Sequence, residues 1–323
     1  MSKKIFVTRV IPDAGLNLLK AKGYKVDVYP KDKILKQKKL ISILKKNSYD
    51  AVLTLLTDHI DSNVFAASPT VKLYSNYASG FDNVDVEEAK KRNITVTNAP
   101  SEASSLSVAE HTVALMLALA TRIVEADSFT RRGKYKGWAP MNFIGTDLSG
   151  KTVGLVGVGH IGHLVGHLAK GLGMNIAYTD LNRNQKIEFE QGATYYENID
   201  RLLPHADFVS LHVPLLPSTH HLLNESRLRL MKPTSFLVNT SRGPVIDEKA
   251  LERVLRLRKI AGAALDVFEC EPKLSLGLSK LSNIILTPHI ASASIEARNE
   301  MAITAAMNII DYFEGKTPRN KVS

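Results

Sequence analysis

Short apolar, β-rich runs alternate with helical patterns almost from one end of the chain to the other. Lys4–Arg9 (KIFVTR) reads as a strand, and Pro12–Lys22, opened by proline, reads as a helix. Tyr24–Tyr29, Ala51–Leu56, Val71–Tyr77 and Ile94–Asn98 are further predicted strands with helical patterns between them. A second series predicts strands at Thr152–Gly157, Asn175–Asp180, Phe208–Val213, Ser235–Thr240, Ala261–Val267 and Asn283–Thr287. Helical patterns such as Leu164–Leu172 and Glu248–Arg258 separate them. Strands alternating with helices imply βαβ units and parallel sheets covered on both faces, and six strands suffice for a doubly wound sheet.

Two apolar-rich helices bracket the second series. Ser107-Val108-Ala109-Glu110 has capping-box spacing and leads into HTVALMLALATR. The other helix is expected from near Ser294 to Gly315, with Met301, Ala305, Ile309 and Phe313 on one face. The expected architecture is therefore α/β with two doubly wound parallel-sheet domains. Residues 1–98 plus 289–323 form the first, discontinuous one and 99–288 the second, with a ligand cleft between them.

Length agrees with this division: 323 residues at about 100–200 per domain suggest two. A hydrophobic fraction of 44% with 23% charged residues excludes a disordered or collagen-like chain. The apolar run Val113–Ala120 falls far short of the ~20 residues that span a bilayer, and the N-terminus lacks the apolar core of a secretory signal. A lone cysteine, Cys270, makes no internal disulfide. A cytoplasmic protein with no membrane partner is expected.

The charge is less ordinary. Lys plus Arg number 42 against 32 Asp plus Glu, a formal +10. Residues 1–98 hold 17 of the basic and 10 of the acidic residues, and residues 31–46 alone carry seven lysines against one aspartate. Ile34, Leu35, Leu40, Ile41 and Leu44 recur there at helical spacing, so 31–46 is expected to be a packed helix with a basic outer face. It lacks the arginine and aromatic pattern of a nucleic-acid reader, and no nucleic-acid partner is expected.

Gly157-Val158-Gly159-His160-Ile161-Gly162 follows a predicted strand and opens a helix. The first glycine permits a tight turn, the second lets the backbone approach a pyrophosphate, and the third allows close helix–strand packing. Asp180 ends the next strand, 18 residues after Gly162, where a carboxylate accepts from both ribose hydroxyls and repels a 2′-phosphate. Leu181 follows where an NADP site would favour arginine. NAD is thus expected over NADP, with Arg183 the one contrary sign.

Three later segments place polar residues at the carboxyl ends of predicted strands, the edge where α/β sheets bind ligands. They are Asn239–Gly243 with Arg242, Asp266–Pro272 with Glu269 and Glu271, and Thr287–Ile290 with His289. Reducing a 2-oxo acid needs a cation for the carboxylate and carbonyl, which arginine supplies, and a proton donor near neutral pH, which suits histidine. A carboxylate beside that histidine favours its charged form and orients it.

With these residues assembled, the chain resembles the D-isomer-specific 2-hydroxyacid dehydrogenases. SNYASGFDNVDVEEA, the glycine motif, NTSRGPVIDEKAL, AGAALDVFECEP and LTPHIASAS look like that family's signature blocks and span essentially the whole chain. The resemblance implies a flavodoxin-like substrate domain (1–98 plus 289–323) and a Rossmann NAD-binding domain (99–288). It implies catalysis by Arg242, Glu271 and His289, the glutamate being the one immediately before proline. By the same matching Asp266 would bind the nicotinamide carboxamide, Thr240 and Ser241 would lie along the nicotinamide ribose, and Val108 would pack near the ring. The amides of Ser79 and Gly80 would hold the substrate carboxylate, and His212-Val213-Pro214 would lie near the adenosine.

Within the family the likeness is to glyoxylate/hydroxypyruvate reductases. PHIASAS lacks the bulky aromatic that D-lactate dehydrogenases place after the histidine. Leu56, Tyr77, Trp138, Met141 and Phe143 would shape a small pocket, and the resemblance implies that Trp138 reaches across a homodimer interface. Formate dehydrogenases carry glutamine where this chain has Glu271, whereas phosphite dehydrogenases keep all three catalytic types. NADH-dependent reduction of a small 2-oxo acid to the D-2-hydroxy acid is the expected activity. The alternatives are another dehydrogenase of the family, acting on 3-phosphoglycerate, phosphite or another D-2-hydroxy acid, and a non-catalytic NADH-sensing interaction protein. The family's corepressors have long tails that this chain lacks.

Some residues mimic other chemistry. His160 stands where many relatives carry an arginine that contacts the pyrophosphate, though the backbone amides remain. His160, His163 and His167 share a helix face, and the last two have a zinc-ligand spacing. No cysteine or nearby carboxylate completes a set, so no metal is expected. His220-His221 is expected to be solvated surface and His111 a packed, hydrogen-bonded histidine. Carboxylates on both sides of Cys270 discourage a thiolate.

Overall fold

In the computed structural model, which describes residues 2–275 and 277–323, the chain divides into two compact units. One is Met1–Ser105 with Ala293–Ser323, and the other is Leu106–Ser292.

The first unit is built on five parallel strands: β1 (Lys4–Val7), β2 (Lys25–Val28), β3 (Ala51–Leu55), β4 (Leu73–Tyr77) and β5 (Thr95–Thr97). Their spatial order, β2-β1-β3-β4-β5, is that of flavodoxin. Helices α1 (Asp13–Ala21), α2 (Gln37–Lys46), α3 (Ser62–Ala67) and α4 (Val86–Lys91) connect them. Because side chains alternate across a strand, Ile5 and Val7 face one side and Phe6 the other. Ile5 and Val7 join Leu16 and Leu19 of α1 and Met301, Ala305 and Ile309 of α12 (Ile295–Phe313) in one core. Phe6 joins Leu40, Leu44, Phe65 and Tyr74 in the other. Helices α1 and α12 pack backbone to backbone at Gly15, where a Cβ would stand 2.2 Å from the Ala302 carbonyl oxygen.

Two expectations change here. The helix foreseen over 31–46 forms only from Gln37, and Ile34 is exposed. The first turn holds no acidic residue, so Lys31, Lys33 and Lys36 would sit at the positive end of any longer helix dipole. The cap foreseen at Ser107 lies inside α5 (Glu102–Thr121). Ser101 and Ser104 close the capping box instead: Ser101 Oγ accepts from Ser104 N (3.0 Å) and Ser104 Oγ from Ser101 N (3.3 Å).

The second unit carries seven parallel strands. They are β6 (Thr152–Val156), β7 (Asn175–Thr179), β8 (Thr194–Tyr195), β9 (Phe208–Leu211), β10 (Phe236–Asn239), β11 (Gly262–Leu265) and β12 (Ile284–Leu286). The order β12-β11-β10-β9-β6-β7-β8 reverses between β6 and β9, the switch point of a Rossmann sheet. Two-residue β8 is too short to show in the hydrophobic pattern. The helices are α6 (Ile123–Arg131), α7 (His160–Gly171), α8 (Gln185–Gln191), α9 (Ile199–Leu202), α10 (Glu225–Leu228) and α11 (Glu248–Arg256), after the latter part of α5. Helix α5 is long and apolar enough to cross a bilayer by length and composition. It buries Ala109, Val113, Met116 and Ala120 against Val153, Leu155, Val165 and Ala169, as the core helix of a folded unit does.

Candidate active site

The turn after β6 has the geometry a dinucleotide pyrophosphate needs. Gly157 sits at φ 89°, a left-handed conformation that favours glycine, with the His212 backbone and Val213 3.0 Å from where a Cβ would be. At Gly162 a Cβ would lie 2.2 Å from the Gly157 carbonyl oxygen, so only glycine lets α7 start this close to the strand. Gly159, the N-cap of α7, makes no side-chain capping bond, and a Cβ there would meet nothing within 4 Å. Backbone and space are therefore open to an anion at the positive end of a twelve-residue helix. His160 is exposed at its first turn and Ile161 half-buried. These residues fit a nicotinamide dinucleotide.

Beside the turn lies a recess of about 380 Å³ lined by Val158, Gly159, Asp180 and residues 182–185. One Asp180 oxygen accepts from Val158 N and the other from Leu181 N, both at 2.7 Å, which fixes the carboxylate at the end of β7. Arg183 is already committed: its Nε and Nη2 donate to the two oxygens of Glu188, each at 2.8 Å. Hydrogen bonds from Arg183 and Tyr178 pull the Glu188 carboxyl down to about 2. On the other side of Gly157, burial pushes His212 down to about 3, so it is neutral, and its Nε2 meets Ser210 Oγ at 2.9 Å. Val213, half-buried, and Pro214, exposed, follow.

The polar cluster at the ends of β10, β11 and β12 is tightly cross-braced. After β10, Asn239 Nδ2 donates to the Arg242 carbonyl (2.9 Å), and its Oδ1 accepts from Ser241 N (3.0 Å) and Ser241 Oγ (2.8 Å). Arg242 Nη1 donates to the Ser241 carbonyl at 2.8 Å. Thr240 Oγ1 meets Thr112 Oγ1 at 2.8 Å, and Thr112 donates to the Val108 carbonyl at 2.7 Å, so Val108 of α5 stands beside the turn.

His289 stands at φ 56°, unusual for a residue with a Cβ. Asp266 holds it there. The Asp266 carbonyl accepts from His289 N at 2.9 Å. Its fully buried carboxylate accepts from Thr287 Oγ1 (2.6 Å), Ile290 N (2.9 Å) and Ala291 N (2.8 Å). Those bonds also explain why His289 belongs to the second unit and not to the segment that starts at Ala293. The carboxylate expected at the carboxamide thus grips the turn that carries the histidine.

His289 Nδ1 meets Glu271 Oε2 at 2.9 Å, and Glu271 Oε1 accepts from Phe268 N at 3.0 Å. Burial pushes the Glu271 carboxyl up, but the bond to His289, the histidine's charge, the Phe268 amide and the Arg242 charge together hold it below the usual carboxylate range. An ionised carboxylate can only accept, so Nδ1 carries the hydrogen and Nε2 is the atom left to exchange a proton. Of the two glutamates, Glu271 faces the histidine, while Glu269 Oε1 meets His221 Nε2 at 2.9 Å.

In the first unit, Ser79 is exposed and Gly80 half-buried just past β4. Buried amides hold their carbonyls: Asn98 Nδ2 donates to Ser79 O (2.6 Å) and Asn76 Nδ2 to Gly80 O (3.0 Å). Leu56 is half-buried after β3. Tyr77 turns into the core, with its hydroxyl on the Arg298 carbonyl (2.9 Å), which differs from the pocket-lining place expected of it. Trp138 and Met141 are 84% and 76% exposed, and Phe143 packs edge-on against Phe129.

His221 and His163 land differently from their sequence reading, whereas His111 is hydrogen-bonded as expected. His221 is bonded to Glu269, because the loop after β9 folds back onto the segment after β11. His163 pairs with Glu190 of α8 at 3.0 Å, a carboxylate 27 residues away in sequence. No group of three metal-ligating side chains occurs among the described residues. His111 Nε2 lies 3.3 Å from Thr287 Oγ1 and 3.7 Å from Asp266. The braces Thr112 and Glu248 escaped sequence reasoning because the Thr240 hydroxyl and the Glu269 and Ser275 amides that they meet lie far away in sequence.

A cavity of about 930 Å³ lies at the opposite edge of the sheet, by Lys151, Asp207, Phe236, Gly262 and Ile284 at the amino ends of the strands. The candidate residues Arg242, Glu271 and His289 lie at the carboxyl ends.

Residues 113–291 match the family model described as "D-isomer specific 2-hydroxyacid dehydrogenase, NAD binding domain". The chain is similar to the glyoxylate reductase of Thermococcus litoralis, 44% identical over 100% of this chain and 97% of that protein. Among solved structures it is similar to a protein of Thermus thermophilus (36% identity, TM-score 0.92, 99% and 100% of the two chains). It is also similar to an NADPH-dependent glyoxylate/hydroxypyruvate reductase of Sinorhizobium meliloti (28% identity, TM-score 0.86, 99% and 98%).

Proposed function

The chain belongs to the D-isomer-specific 2-hydroxyacid dehydrogenases, and from that premise we propose that it reduces a small 2-oxo acid, glyoxylate or hydroxypyruvate, to the D-2-hydroxy acid with NADH. The observation that carries this reading is the 2.9 Å pair between His289 Nδ1 and Glu271 at the carboxyl edge of a Rossmann sheet, within the electrostatic reach of Arg242. When bound, the nicotinamide supplies the hydride that the carbonyl carbon accepts. Arg242 anchors the carboxylate and polarises the carbonyl, and the Ser79 and Gly80 amides share the anchoring, a role that rests on the sequence resemblance. His289 Nε2 gives the proton to the developing alkoxide, and Glu271 supports the imidazolium before transfer. The Asp266 clamp keeps the donor oriented, so little reorganisation is needed at the moment of reaction.

NADH over NADPH is supported by Asp180 at the ribose position and by the tie between Arg183 and Glu188, which withholds a guanidinium from a 2′-phosphate. The similar Sinorhizobium meliloti enzyme is NADPH-dependent, so the choice is read from these side chains and not from that relative. We further propose a homodimer through the second unit. Ile123, Trp138, Met141 and Ile144 are all more than half exposed, and Ile144 lines the 930 Å³ recess; these are apolar side chains that a second copy would cover.

A panel of 2-oxo acids assayed at fixed NADH tests the activity. Oxidation of NADH with glyoxylate or hydroxypyruvate, giving the D product from prochiral hydroxypyruvate, is expected. No turnover with any 2-oxo acid would overturn the reading.

A further inference from the structure

The segment that carries Glu271 is itself held by a carboxylate from another element. Glu248, the first residue of α11, is 4% exposed and does not point to solvent. One of its oxygens accepts from Glu269 N at 2.6 Å and the other from Ser275 N at 3.3 Å, so a single side chain pins both ends of the 269–275 loop. Glu269 returns the contact, accepting from Glu248 N at 3.3 Å while its other oxygen pairs with His221. Below, Gly243 lies so close that a Cβ would stand 1.9 Å from the Phe268 carbonyl carbon, and the Glu252 carboxylate fills the space beside Gly277. The loop is thus fixed at both ends and from beneath, with Glu271 in its middle and facing His289.

We propose that Glu248 is a positioning residue for the proton-donating pair: by accepting from two loop amides at once, it sets where the Glu271 carboxylate stands. This rests on the reading of Glu271 and His289 as that pair. The geometry asks for two acceptors and no donor, which a carboxylate provides and an amide does not. Burial outweighs its two amide bonds and, with the nearby Glu269 and Glu271 charges, pushes the Glu248 carboxyl above its ordinary range. A buried acidic group here is costly, so the contact has a use beyond starting a helix that Asp247 already caps through Ala250 N (2.9 Å). Charged and titratable groups around this assembly include His221, Asp247, Glu252, Glu269, Glu271, His289 and Arg242.

The test uses the full-length enzyme with Glu248→Gln, Glu248→Asp and Glu271→Gln, and the double variant of the two glutamines. kcat is measured with glyoxylate from about pH 5 to pH 9, beside NADH affinity by fluorescence titration. Glu248→Gln keeps one acceptor and turns an NH₂ toward the other amide. It is expected to lower kcat about 10-fold at alkaline pH, with the deficit narrowing as pH falls and NADH affinity unchanged. Glu248→Asp, which keeps both acceptors on a shorter arm, is expected to lose less, and it carries the comparison if the glutamine variant does not fold. In the Glu271→Gln background, Glu248→Gln should add less than about twofold, because the two act on one element. A pH-independent loss, or a loss that multiplies fully with that of Glu271→Gln, would overturn the proposal and leave the catalytic reading standing. A Glu271→Gln enzyme with no pH-dependent loss would overturn both.

Discussion

Replacing Glu271 with glutamine removes the charge of the proton-donating pair. Glutamine keeps the length of the side chain and a carbonyl oxygen that can still accept from His289 Nδ1, while its NH₂ turns toward Phe268 N, so the negative charge and one amide bond are lost together. Two unit charges about 4 Å apart attract by roughly 4 kcal/mol at an effective dielectric of 20 and by about 1 kcal/mol in water. The His289 and Glu271 side chains are 30% and 32% exposed, so solvent screens part of the larger figure. A working value of about 2 kcal/mol corresponds to a roughly 30-fold loss of kcat where the imidazole needs that support to hold its proton.

The pH dependence makes the test specific. A general acid must hold its proton to donate it, so the support of a neighbouring negative charge should count most on the alkaline side and the deficit should shrink as pH falls. NADH oxidation with saturating glyoxylate, followed by absorbance across that range for both enzymes, reads it directly. A deficit equal at every pH, or one below about threefold throughout, would refute the assignment of Glu271 as the electrostatic partner of the acid.

In the recess beside Asp180, Asp180→Ala alone leaves Arg183 tied to Glu188, whereas Asp180→Ala with Glu188→Gln frees it. NADPH affinity by fluorescence titration should rise about 10-fold or more in the double variant over the single one, and equal affinities would show that the tie is no restraint. Asn98→Ala removes the 2.6 Å bond to the Ser79 carbonyl, which should raise KM for glyoxylate roughly 5–10-fold and leave NADH affinity unchanged; an unchanged KM would remove that loop from carboxylate binding. His212, lowered to about 3 by burial, binds its proton more weakly folded than unfolded, so its contribution to stability is complete above the unfolded value near 6.5 and is lost as pH falls toward about 3. Thermal unfolding by circular dichroism should show a falling Tm across that window, and a His212→Asn variant should fall less steeply; parallel curves would contradict the neutral, half-buried histidine.

Both sheets were legible because a strand covered on both faces must be apolar along its length, as in KIFV of β1 and FVSL of β9. Element edges were less legible. At Ser101 a serine pair caps α5 where Ser107–Glu110 has the better-known spacing, and residues 102–106 contain nothing that stops a helix from starting early. At 31–36, helical spacing of Ile34 and Leu35 was outweighed by lysines at the positive end of the dipole.

The site divides along the same physical line. Residues proposed to meet ligand carry recognisable chemistry in sequence: glycines where a backbone must turn, arginine for a carboxylate, histidine beside glutamate for a proton. Residues that hold those groups in place were hidden, because a carboxylate bonded to backbone amides looks like any other acid until the amides are found. Asp266 was legible as a site residue, yet its grip on Ile290 and Ala291 was not, and without that grip His289 would have no reason to remain at φ 56°. Glu248 is the stronger case: its partners lie 21 and 27 residues away, on a loop whose own motif drew attention to Glu271 alone. Under the proposed reading Glu248 sets the precision of the donor pair without meeting a ligand itself, which is why mutating it should change the pH response of catalysis before it changes cofactor binding.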